Sequence, residues 1–132
     1  MERRVSSVVL DTHVVQWWSA EPDRLSAKAA ATVRQADELA VAAITWYELA
    51  WLARNGRISV AIPVRSWLDQ LAAHVRTIAI TPAIADTAAG LPPSFPGDPA
   101  DRLIYATAVE HGVPLVTKDA QLRKHGRSVA VW

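Results

Sequence analysis

The sequence predicts an α/β domain built on a parallel sheet with helices on both faces. Short apolar, β-branched runs alternate with longer alanine-rich stretches, the order that builds strand–helix–strand units. The acidic residues Asp11, Glu48, Asp98, Asp101 and Asp119 stand just past those runs or open the following helix. The chain of 132 residues, 51% hydrophobic and 20% charged, suits one domain over residues 1–132 with one core and excludes general disorder.

Val8 to Leu10 is the first strand, and Asp11 follows it in position to cap a helix. Residues 24–37 place Leu25, Ala29, Val33 and Ala36 on one helical face. Leu39 to Ile44 is the second strand. Thr45 starts a helix to about Arg54 that Asn55-Gly56 stops. There, Thr45 and Glu48 have capping-box spacing, with the threonine on the third helical amide and the glutamate reaching back.

Pro63 opens a helix carrying Trp67, Leu68 and Leu71, and Val75 to Ile80 is the third strand. Thr81-Pro82 caps and starts the next helix, which ends before a Pro/Gly loop at residues 91–97. Asp98-Pro99 opens a helix to about His111, closed by Gly112. Val113 to Thr117 is the fourth strand, a short helix follows Asp119, and Val129 to Val131 is the last strand.

Composition removes several functions. With no cysteine there is no disulfide, zinc–thiolate site or thiol nucleophile. No apolar run approaches the roughly 20 residues that cross a bilayer, and the start MERRVSSVVLD is too short and too acidic at its end for a signal peptide. A cytoplasmic protein without membrane attachment is the expectation. Walker A, Gly-x-Gly-x-x-Gly and Gly-x-Ser-x-Gly patterns are missing, and the four histidines show no metal-ligand spacing. The net charge is only +1, but Lys118, Arg123, Lys124 and Arg127 crowd the C-terminal stretch. Arginines outnumber lysines eleven to three, a balance suited to phosphate. Trp17 and Trp18 cannot both face one core from one helix, so one is expected at a partner surface, whereas Trp46, Trp51 and Trp67 are expected in the core.

The carboxylates carry the chemistry. A carboxylate beside a buried strand end is costly unless a cation or hydrogen bonds offset its desolvation. Each acid alone could be a helix cap. In parallel sheets, however, sites form at the carboxyl ends of strands, where Asp11, Glu48, Asp101 and Asp119 can meet. Their common partner would be a hard divalent cation such as Mg²⁺ or Mn²⁺. Asp98 is the natural cap of its helix and Asp101 the better site candidate. Thr117 could hydrogen-bond a carboxylate, and Arg102 is either an ion-pair partner or a phosphate contact.

The ordered fragments LDTHVVQWW, TWYELAWLARNGRI and GDPADRLIYATAVEHGVPLVTKDAQL resemble the PIN-domain family, specifically the VapC-type toxins of bacterial toxin–antitoxin pairs. The resemblance covers nearly the whole chain. It implies a three-layer α/β/α fold on a mostly parallel five-stranded sheet. The implied activity is Mg²⁺- or Mn²⁺-dependent cleavage of RNA, including tRNA and other structured RNAs. Asp11, Glu48, Asp101 and Asp119 would be the metal-binding and catalytic quartet, with Asp98 and Thr117 accessory. Arg102, Lys118, Arg123 and Lys124 would hold RNA phosphates. A homodimer neutralised by a VapB-like antitoxin is implied as well. Pro96 and Ala100 stand where relatives often carry histidine and phenylalanine around the third acid. The alternatives are a receiver-like phosphoacceptor domain, which lacks its acidic pair here, and a non-catalytic interaction module.

Overall fold

Alternation of side chains along each strand organises the whole molecule. The structure is a computed structural model describing residues 6–126 and 128–132. The basic start at residues 1–5 and Arg127 lie outside the described residues. Five strands, β1 (Ser7–Leu10), β2 (Glu38–Ala42), β3 (Arg76–Ile78), β4 (Leu115–Val116) and β5 (Ala130–Val131), form one sheet in the order β3-β2-β1-β4-β5. Every pairing is parallel, so the sheet is wholly rather than mostly parallel.

The helices are α1 (Thr12–Ala20), α2 (Ala27–Gln35), α3 (Ile44–Arg54), α4 (Val64–Ala72), α5 (Pro82–Ala89), α6 (Pro99–His111) and α7 (Ala120–His125), with a 3₁₀ turn at Pro22–Arg24. Val8 and Leu10 of β1, Val41 of β2 and Val116 of β4 pack with Val14, Val15, Ala29, Val33, Leu49 and Leu71, the contributions of α1 to α4. Val9, Ala40, Ala42, Ile78 and Leu115 face the other way, onto Ile84, Ala88, Ile104 and Leu122 of α5, α6 and α7. The period of two along the strands thus divides the apolar residues between two helical layers. Val9, Leu10, Val41, Leu115 and Val116 are fully buried, as strands covered on both faces must be. This is a three-layer α/β/α fold.

Strands β3, β4 and β5 are shorter than the apolar runs predicted. Ile80 lies beyond the last pair of β3 and is exposed. The caps at Thr81, Asp98 and Asp119 form as the sequence indicated, each through a side-chain oxygen on a first-turn amide. Gly112 closes α6 at φ 63, a left-handed position that favours glycine. Among the described residues no helix is long and apolar enough to cross a membrane.

The capping box at Thr45 does not form. Helix α3 starts one residue earlier, with Ala43 at its N-cap and no side-chain cap. Thr45 is buried inside the first turn, its hydroxyl 3.3 Å from that of Thr12. Glu48 is thereby released from its own helix end and turned to α1. Trp51 also departs from the expectation of core packing, being 46% exposed, whereas Trp17 is 7% exposed. Trp46 and Trp67 do pack against the core layer of α1 to α4.

Candidate active site

The chain runs β1, β2, β3 toward one edge of the sheet, then returns to build β4 and β5 on the other side of β1. The reversal opens a crevice at the carboxyl ends of β1 and β4, the place where open parallel sheets bind ligands. Asp11 directly follows β1, and Asp119 lies just past β4. Asp98 and Asp101 come from the N-terminus of α6, and Glu48 from the second turn of α3. All five acidic side chains line one cavity of about 840 Å³ between α1, α3 and the start of α6.

Each acid is held differently. Asp11 is buried: Oδ1 accepts the Thr12 N–H at 2.8 Å and Oδ2 accepts the Thr117 hydroxyl at 2.6 Å. Burial raises its pKa above the ordinary carboxylate value, and the Thr117 and Thr12 donors oppose that rise. Glu48 accepts the Thr12 hydroxyl at 2.5 Å, and its pKa too is raised, first by burial. Asp119 Oδ1 accepts two α7 amides, from Gln121 and Leu122, at 2.8 and 3.1 Å. Asp98 caps α6 through the Ala100 N–H at 2.8 Å.

Asp101 has no such anchor among the described hydrogen bonds. Its pKa is pushed up to about 7, first by burial and then by the charges of Asp11, Asp98, Asp119 and Glu48. One carboxyl therefore feels all four others. Such convergence of like charge is stable only if protons or a cation compensate it.

A divalent cation suits this chemistry. The donors are all hard carboxylate oxygens, and burial together with the neighbouring carboxylates raises the pKa of Asp11, Glu48 and Asp101. Among the described residues, however, no group of three or more His, Asp or Glu side chains stands ready to hold a metal ion. The inner oxygens are turned onto protein donors at Thr12, Thr117 and the α7 amides. The set therefore fits an ion in composition, and side-chain rotation would have to close it.

The PIN domain family matches residues 8–128, a span that contains every one of these acids. The chain belongs to the PIN-domain family. Within it, this PIN domain is of the VapC type: it is 65% identical over 130 residues to Ribonuclease VapC22 of Mycobacterium tuberculosis, covering 97% of this chain and 100% of that relative. Its fold is similar to that of a toxin–antitoxin complex from Klebsiella pneumoniae, with TM-score 0.69 and 19% identity over 95% of this chain and 96% of that one. It is also similar to VapBC-1 from nontypeable Haemophilus influenzae, with TM-score 0.68 and 18% identity over 94% and 95% of the two chains.

Of the described basic residues singled out in the sequence, only Lys118 lines the cavity of this PIN domain. Among the described residues Arg102 has no salt-bridge partner. Its guanidinium donates to the carbonyls of Pro96, Ala88, Leu91, Pro92 and Phe95, at 2.9 to 3.4 Å. Arg123 is half-buried and donates to the Lys118 carbonyl at 3.3 Å, and Lys124 is exposed in the last turn of α7. Sequence reasoning missed Thr12, the donor to Glu48, and the aromatic residues His13, Tyr47 and Trp51 of the cavity wall. The signal for the aromatics was there: Ile44, Tyr47, Glu48, Trp51 and Leu52 have the spacing of one helical stripe.

Proposed function

We propose that this PIN domain is a divalent-metal-dependent endoribonuclease, the toxin of a toxin–antitoxin pair. The observation that carries this reading is the meeting of five carboxylates in one cavity at the switch point of a parallel sheet. The strong similarity to a protein named as a ribonuclease supports RNA as the substrate. The resemblance to chains from toxin–antitoxin complexes supports a VapB-like antitoxin as partner. A structured RNA such as tRNA, a homodimeric state and a cytoplasmic location complete the reading. The family assignment replaces the receiver-like alternative.

Asp11, Asp101 and Asp119 would be the main ligands of Mg²⁺ or Mn²⁺, with Glu48 beside them. When bound, the ion would activate water and neutralise charge developing on the phosphate. The protein's own part is positional. Thr117 holds Asp11 at the end of β1 and Thr12 holds Glu48 on α3, and Glu48, half-buried, would orient the attacking water. Asp98 fixes the start of α6 and so the height of Asp101. Lys118 supplies a cation at the rim for the substrate backbone.

The test is cleavage of total RNA in Mg²⁺ or Mn²⁺, with growth inhibition on expression as a second measurement. Asp11→Asn and Asp101→Asn are each expected to abolish both. Full activity in either variant would refute the assignment.

A further inference from the structure

Helix α3 has two faces with different fates. Thr45 and Leu49 are fully buried in the core. Ile44, Tyr47, Glu48, Trp51 and Leu52 instead line the acidic cavity. Within this stripe Tyr47 is 68% exposed and Trp51 46% exposed, one helical turn apart on the cavity side. These are the two largest exposed aromatic groups among the described residues, and both lie on the approach to Glu48.

The other side of the cavity differs. Trp17 of α1 is buried, stacked with His13 at 5.9 Å, and its ring faces the Lys118 ammonium at 5.6 Å and the Arg24 guanidinium at 4.7 Å. Its π face is thus engaged by cations, whereas the rings of Tyr47 and Trp51 are open. The cavity of about 840 Å³ also exceeds what a phosphodiester and its ions occupy. It has room for a nucleotide's base and sugar.

Building on the ribonuclease reading, we propose that Tyr47 and Trp51 form a stacking platform for an unpaired nucleobase adjoining the scissile phosphate. A base in a duplex already has both faces stacked, whereas a splayed base has a free face, and aromatic side chains accept any base there. The platform flanks Glu48, so a base seated on it carries its own phosphate toward the carboxylates and Lys118. A protein segment without a cationic side chain fits the wall less well, because covering it would also desolvate the acids without compensating them. Specificity for looped RNA then follows from α3 itself: the helix that supplies one site acid also selects the unstacked nucleotide.

The experiment uses the full chain. Cleavage sites are mapped in total RNA with Mg²⁺, and a hairpin containing the mapped site is synthesised with an abasic ribose at each loop position in turn. For the wild type, one position beside the cut should raise KM roughly tenfold, within the range of base–aromatic stacking. Tyr47→Leu and Trp51→Leu should raise KM for the intact hairpin comparably and lose the extra abasic penalty, while Tyr47→Phe keeps it. Both positions are exposed, so the variants should fold, which circular dichroism checks. Wild-type KM in the leucine variants, or an undiminished abasic penalty, would overturn the platform. So would leucine variants that cleave normally yet no longer bind the antitoxin, since the wall would then be a protein-docking face. Total RNA left intact by the wild type in both Mg²⁺ and Mn²⁺ would instead refute the ribonuclease reading beneath it.

Discussion

The Thr117 hydroxyl donates to Asp11 Oδ2 at 2.6 Å, tying the ends of β4 and β1 together across the crevice. The same oxygen accepts the Asp119 N–H at 3.0 Å, so one hydroxyl fixes two acids of the site. Thr117 is fully buried, and its position follows from the parallel register that sets Leu10 beside Val116. Pairing of the strands and preorganisation of the carboxylates are therefore one structural event.

Thr117→Val should keep the fold and impair the site. Valine matches threonine in shape but removes the donor that counters the burial of Asp11, so the Asp11 pKa should climb further. Groups that orient metal-binding side chains typically contribute about 10- to 100-fold in affinity or activity. A loss of that size in Mg²⁺ affinity by calorimetry and in RNA cleavage is expected, with Thr117→Ser close to wild type. Unchanged Mg²⁺ affinity in the valine variant would show that Asp11 does not need the bond.

Asp101 gives the metal-free protein a defined pH dependence. Its pKa is about 7 in the folded chain, against 3.8 for an ordinary aspartate. Between those values the unfolded chain has released the proton while the folded chain retains it, so stability falls as pH rises from about 4 to about 7. Below that window the group contributes nothing unfavourable, and above it the penalty is complete. Asp101→Asn should therefore raise the Tm at pH 8 in EDTA by about 2–5 °C and change it little at pH 4. A lower Tm for the variant at pH 8 would contradict the electrostatic strain.

Added Mg²⁺ should reverse that strain. A ligand bound only by the folded state at 100 times its Kd stabilises by about 2.7 kcal/mol, which differential scanning fluorimetry resolves easily. Because Asp101, and by direction Glu48 and Asp11, hold protons more tightly than ordinary carboxylates, binding should release protons. Calorimetric heats at pH 7 should then depend on the ionisation enthalpy of the buffer. Asp101→Asn should reduce both the Tm shift and the proton release, and a full shift in that variant would place the ion elsewhere.

The sequence disclosed the fold through features that act locally. The alternation of apolar runs marked the strands, although β3, β4 and β5 are shorter than read. The caps at Thr81, Asp98 and Asp119, and Gly112, each depend on a few neighbouring residues and form as read. The acids were legible because carboxylates at strand ends need compensation. What the sequence hid depends on packing between distant segments. Thr45 satisfied every local rule for a cap, yet burial against Thr12 drew it into the helix. Thr12 became a partner of Glu48 only once α1 and α3 lay side by side. The strand order that makes the crevice was likewise not available from local pattern, since βαβ alternation permits several orders.

Arg102 shows the same limit, and its role can be tested. The guanidinium joins the first turn of α6 to five carbonyls between Ala88 and Pro96, with the Phe95 ring 5.8 Å from its carbon. Backbone amides of Leu91 and Phe95 already reach the carbonyls of Ala88 and Pro92, so Arg102 satisfies chiefly those of Leu91, Phe95 and Pro96, which would otherwise need water. A lysine ammonium has three donors at a single point and cannot reproduce the planar fork. Arg102→Lys and Arg102→Ala should both destabilise the domain, by about 1–3 kcal/mol in urea unfolding, from unsatisfied acceptors and lost packing. Because the loop leads directly into the Asp98 cap, both variants should also displace Asp101 and reduce RNA cleavage even where the protein is fully folded. A variant that is destabilised but cleaves at the wild-type rate would confine Arg102 to the loop and separate it from the site.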